Sequence, residues 1–128
     1  MVVKRTKLDI GQVLYMGDFL TSPQGQYRLI MHTSGNLVIY NQSNSSIKWN
    51  SNTSGDRNWA VLQSDGNFVV YNSKGDRALW HSKSGRTSAS MDMQIVLQDD
   101  GNLVLYNLDA TPVWSSSGGL IRAKKTGA

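Results

Sequence analysis

The sequence contains no cysteine. That single absence removes disulfides, thiol nucleophiles and zinc–thiolate sites together, and it suits a reducing compartment. No apolar stretch approaches the ~18 residues of a membrane helix. The opening "MVVKRTKLDIGQVLY" places no apolar run of signal-peptide length behind Lys4, Arg5 and Lys7. The expectation is a cytoplasmic chain without membrane insertion, although the same letters are compatible with secretion. Histidine is nearly missing too: His32 and His81 are the two present, with no Ser-His-Asp or metal-ligand spacing around them. No catalytic residue, metal ligand or cofactor is assigned.

Helical periodicity is also lacking. Apolar residues alternate at period two or cluster in runs of three or four, and Gly, Asn, Asp and Ser break the chain every eight to twelve residues. That pattern reads as all-β. A chain of 128 residues fits one domain, residues 1–128. At that size roughly 65–70 % of the unfolded surface can be buried, so the fold needs no covalent staples. The net charge of +4 is partly local, in the head and in the basic tail "GGLIRAKKTGA" at 118–128. Nucleic-acid footprints interleave basic residues with stacking aromatics. Here the Trp and Tyr follow another pattern, so no nucleic-acid partner is expected.

That pattern is a threefold repeat. "LQSDGNFVVYN" (62–72) returns as "LQDDGNLVLYN" (97–107), and an altered form, "MHTSGNLVIYN", stands at 31–41. The glycines Gly35, Gly66 and Gly101 are spaced by 31 and 35 residues, as are Tyr40, Tyr71 and Tyr106. A tryptophan follows each copy: Trp49, Trp80 and Trp114. A period in the low thirties marks a repeat architecture. The motif hairpins are expected at about 29–41, 60–72 and 95–107.

Parity folds the phrase. A two-residue loop at Asp65-Gly66 would mix polar and apolar side chains on both faces of the hairpin. A three-residue loop, Asp65-Gly66-Asn67, pairs Gln63 with Val69 and Leu62 with Val70. Leu62, Phe68 and Val70 then share one face, while Gln63, Val69 and Tyr71 share the other, because cross-strand partners lie on the same side. Asn67, which tolerates left-handed backbone angles, suits the last loop position. The third repeat sorts identically. Turn geometry accounts for Asp and Asn at a tip, but no turn requires the Gln and the Tyr. Together they offer a carboxylate, two amides and a hydroxyl around a small apolar surface. That set suits a ring bearing neighbouring hydroxyls, which is a sugar.

Q-x-D-x-N-x-V-x-Y resembles the mannose-binding motif of the monocot bulb-type, or snowdrop-agglutinin-like, lectins. It stands here as Gln63, Asp65, Asn67, Val69, Tyr71 and again as Gln98, Asp100, Asn102, Val104, Tyr106. The resemblance runs from about Leu8 to Trp114. It implies a β-prism II fold, with three four-stranded antiparallel sheets in pseudo-threefold array and the recurrent Trp in the core. It also implies roles: Asp and Asn bond the 2-hydroxyl of mannose, Gln the 3-hydroxyl and Tyr the 4-hydroxyl, while Val packs on ring carbons. The partners implied are mannose-containing glycans or glycoproteins, and the tail "LIRAKKTGA" could serve a homodimer by C-terminal strand exchange.

Two departures stand out. Where many plant members tie the first two repeats by a disulfide, this chain has Gly35 and the "DRNW" stretch. In the first repeat His32 replaces Gln and Ser34 replaces Asp, while Asn36, Val38 and Tyr40 remain, leaving a degenerate site. A glycosidase needs two carboxylates bracketing one bond, and each full motif supplies one central Asp, so the chain reads as a binder without catalysis. The alternative is a protein–protein interaction or structural module on the same fold with lost or altered sugar binding.

Overall fold

The computed structural model describes residues 4–85 and 92–121, and every regular element among them is a strand. The chain opens with three short ones: β1 (Lys7–Asp9), β2 (Val13–Leu14) and β3 (Phe19–Thr21). Each repeat then forms a three-stranded meander. The first is β4 (Tyr27–Met31), β5 (Leu37–Asn41) and β6 (Ile47–Asn50). The second is β7 (Trp59–Leu62), β8 (Phe68–Tyr71) and β9 (Ala78–His81). The third is β10 (Gln94–Leu97), β11 (Leu103–Tyr106) and β12 (Pro112–Ser115), followed by β13 (Gly119–Leu120).

The opening strands are dealt out in reverse. β3 completes the first meander, β2 the second and β1 the third, giving sheets β3-β4-β5-β6, β2-β7-β8-β9 and β1-β10-β11-β12-β13, antiparallel throughout. One short segment thereby covers an edge of every sheet and ties the repeats together through the backbone. Four strands per sheet were expected; β13 adds a fifth by pairing Leu120 with Trp114 and Gly119 with Ser115. Residues 122–128, which carry most of the segment considered for strand exchange, lie outside the described residues.

Parity sorts the faces as the alternation implies. Leu62, Phe68 and Val70 enter the core with Leu29, Leu37, Ile39, Ile95, Leu103 and Leu105, all at 0 % exposure. Trp49, Trp80 and Trp114 come one from each sheet. Their rings meet edge-to-face, with centroids 5.3, 5.6 and 5.9 Å apart, the favoured geometry for aromatic pairs. In each sheet the register shifts where the motif tyrosine meets the third strand, at Ile39/Tyr40, Val70/Tyr71 and Leu105/Tyr106.

The hairpin register differs from the expected one by two residues. Leu62 pairs with Phe68 and Val61 with Val69, and the Gln63 N–H donates to Asn67 O at 2.9 Å. The three-residue apex is therefore Ser64-Asp65-Gly66. Gly66 takes the left-handed angle, φ 86°, and Asn67 does not. The loop is still odd, so the face assignment survives the shift. The same apex recurs at Gly35 (φ 90°) and Gly101 (φ 84°).

Where relatives are expected to carry a disulfide, hydrogen bonds join the first repeat to the second. Asn58, only 2 % exposed, donates through Nδ2 to Gly35 O at 3.0 Å and Ser54 O at 3.1 Å. Thr53 Oγ1 donates to the same Gly35 carbonyl at 2.6 Å, and the Gly55 N–H to Ser34 O at 3.1 Å.

Candidate functional site

Three quasi-equivalent constellations stand on the outer faces, each built on the central hairpin of its sheet. In the second repeat Asp65 projects from the apex, exposed, and its Oδ1 accepts the Asn67 N–H at 2.9 Å. This Asx turn sets the carboxylate beside the amide two residues on. Val69 lies beneath, 2 % exposed, and Tyr71 is half-buried at the far side. Gln63 Nε2 donates to Tyr71 Oη, tying the two polar ends together. The third repeat reproduces every part: Asp100 Oδ1 accepts the Asn102 N–H at 2.9 Å, Gln98 Nε2 donates to Tyr106 Oη, and Val104 is buried at 6 % exposure. The five residues that the motif names in each repeat are thus brought together.

The first repeat is only half assembled. No carboxylate stands at Ser34; its N–H instead donates to His32 Nδ1 at 3.3 Å. His32 and Tyr40 face each other as tilted rings, 6.4 Å between centroids. Asn36 has structural work: its Oδ1 accepts from Ser51 Oγ at 3.2 Å and the Thr53 N–H at 3.2 Å. Asn67 does the same for Ser82 Oγ (3.1 Å) and the Ser84 N–H (3.3 Å). The amide thus closes the loop in the first repeat as in the second, without a carboxylate beside it, and Val38 is as buried as Val69, both 2 % exposed.

Residues beyond the motif complete the sites. Trp59 pairs across from Tyr71, its ring tilted 30° at 4.9 Å, with Nε1 donating to Ser73 O at 3.3 Å. It shares the odd-numbered face of Gln63, Val69 and Tyr71, so the parity that sorted the hairpin also marks this residue. The equivalent register position holds Gln94 in the third repeat and Arg28 in the first, opposite Tyr106 and Tyr40. Ile10 and Gly11, from the turn before β2, wall the second-repeat groove beside Gln63 and Asp65. Asp9, on β1, accepts from Gln94 Nε2 at 2.8 Å beside Tyr106. No local signal marks these, because they come from the N-terminal segment. Asp99, the extra acid of the third repeat, accepts the Gln24 N–H at 2.7 Å and so holds the β3–β4 turn against this hairpin.

Solved structures match this architecture. A monomeric monocot mannose-binding lectin from Gastrodia elata is 32 % identical, with a TM-score of 0.77 over 90 % of this chain and 99 % of that one. A lectin from Allium sativum is 40 % identical, with a TM-score of 0.71 over 94 % and 100 %. The chain belongs to the monocot bulb-type mannose-binding lectin family. Its three sheets are the β-prism II fold of that family. The snowdrop (Galanthus nivalis) mannose-specific agglutinin, solved with methyl α-D-mannoside, matches at 29 % identity and a TM-score of 0.69 over 96 % and 97 %. No protein-family model matches the chain, and no curated protein does.

Proposed function

We propose that this lectin binds mannose-terminated glycans through the second and third repeats and performs no catalysis. The observation that carries the proposal is the identical assembly of the two full motifs, each with an exposed carboxylate, an adjacent amide and a Gln–Tyr pair around a buried Val. Asp65, Asn67, Gln63 and Tyr71, with Asp100, Asn102, Gln98 and Tyr106, take the hydroxyls, while Val69 and Val104 take the ring carbons. The snowdrop agglutinin was solved with a mannoside and tarin with trimannose, which supports the ligand class. Each neutral hydrogen bond nets ~0.5–1.5 kcal/mol and those to the carboxylate ~1.5–3 kcal/mol. About four polar partners, offset by lost bonds to water, give a monosaccharide Kd near millimolar, about −4 kcal/mol. Two sites engaging one branched glycan raise that by ~10²–10⁴, and a homodimer through the C-terminal tail would raise it further.

The test is retention on a mannose column. Asp65→Ala with Asp100→Ala abolishes it while far-UV circular dichroism stays that of wild type, and free mannose competes where galactose does not. Retention of the double variant at the wild-type level refutes the site assignment; equal competition by galactose refutes the ligand class.

A further inference from the structure

The three outer grooves have diverged at one register position, and the first has become cationic. Arg28 occupies the place held by Trp59 and Gln94 in the other repeats, directly across from Tyr40. Arg5 lies alongside, fixed by the Thr21 N–H donating to its carbonyl at 2.8 Å, where Thr21 in turn pairs with Arg28. Lys4 lines the same groove and donates through Nζ to Pro23 O at 3.0 Å. Among the described residues that line it, one is a carboxylate, Asp18, and its Oδ2 accepts the Tyr15 N–H at 2.9 Å. The equivalent groove of the third repeat is lined instead by two carboxylates, Asp9 and Asp92.

Arg28 is also incompletely satisfied. Its guanidinium lies over the Phe19 ring, 4.2 Å from the centroid. Its Nε is the one buried side-chain polar atom without a hydrogen-bond partner among the described residues. This pose leaves a buried guanidinium N–H donor without an acceptor. A carboxylate or phosphate that draws the group off the ring recovers Nε and an Nη as a parallel bidentate pair, the geometry in which arginine binds oxyanions best.

We infer that the groove of Arg28, Arg5 and Lys4 is a binding site for an acidic saccharide, one that carries a carboxylate or a phosphate. It is separate from the neutral-sugar sites of the other two repeats and stands whether or not those bind mannose.

The experiment is a titration of amide and arginine Nε–H signals with glucuronic acid and with mannose 6-phosphate, against methyl α-mannoside and inorganic phosphate. One or both acids shift the Arg28 Nε–H and the backbone of Thr21 and Gly25, saturating near millimolar; the preferred acid tells a carboxylate reader from a phosphate reader. The affinity falls steeply with added salt, and Arg28→Gln weakens it at least ~10-fold, the factor expected for a lost charge-assisted pair. Because Arg28→Gln could unfold the sheet, Lys4→Gln with Arg5→Gln is measured beside it; this pair keeps the Phe19 contact and flattens the salt dependence. The inference is overturned by equal shifts from methyl α-mannoside or by silence toward both acids at about 10 mM. It is equally overturned by wild-type affinity in the variants. Inorganic phosphate binding as tightly as either acid means an adventitious ion only.

Discussion

Asn58 carries the junction between the first two repeats, and its removal has a calculable cost. Its Nδ2 supplies two hydrogen bonds, to Gly35 O and Ser54 O, in a position 2 % exposed. At ~0.5–1.5 kcal/mol net for each bond, with Thr53 still holding Gly35 O, Asn58→Ala costs about 2 kcal/mol. For a chain of this length each kcal/mol moves Tm by about 3–4 °C, so the expected drop is about 7 °C. Asn58→Asp is the sharper test. It keeps the volume but turns a donor into a charged acceptor aimed at two carbonyl oxygens, a buried mismatch costing more than a simple deletion. Thermal unfolding followed by circular dichroism should rank wild type above Asn58→Ala, and Asn58→Ala above Asn58→Asp. An Asn58→Asp protein that melts with wild type, or above Asn58→Ala, refutes the claim that donation from this amide holds the repeats together.

Two further outcomes follow from the geometry. Gly35→Ala and Gly11→Ala both force a side chain onto a left-handed backbone, φ 90° and 87°, but a Cβ at Gly35 overlaps the Gly55 backbone while one at Gly11 meets nothing within 4 Å. Denaturant unfolding should show Gly35→Ala the less stable by ~1–3 kcal/mol, the overpacking cost alone; equal stabilities would show that the approach of Gly55 is of no consequence. In a mannose titration, amides around Gln63 and Gln98 should saturate before those around His32, because Ser34 lacks the ionised acceptor worth ~1.5–3 kcal/mol. Equal saturation of all three would show that the carboxylate does not set the affinity.

The threefold phrase, read as letters, already decided the sheet faces. Cross-strand partners share a side, so any odd loop puts Leu62, Phe68 and Val70 in the core and leaves Gln63, Val69 and Tyr71 outside. The same parity carries Trp59, Gln94 and Arg28 to the outer face. The motif residues within each site were legible for that reason: they lie within nine residues on one hairpin. What the letters could not decide was the loop's register, because loops closed at 63–67 and at 64–68 have the same parity. The tertiary structure chose between them through contacts across the sheet, where Ser82 and Ser84 hold Asn67 outside the apex and leave Gly66 to take the left-handed turn. Nor could the letters decide what surrounds each site, because the walls come from far along the chain. Ile10 and Gly11 beside Gln63, Asp9 beside Gln94 and Lys4 and Arg5 beside Arg28 all belong to the opening segment. Only its path across three sheet edges, set by which edges lacked a partner, brings one charge to the first groove and the opposite charge to the third.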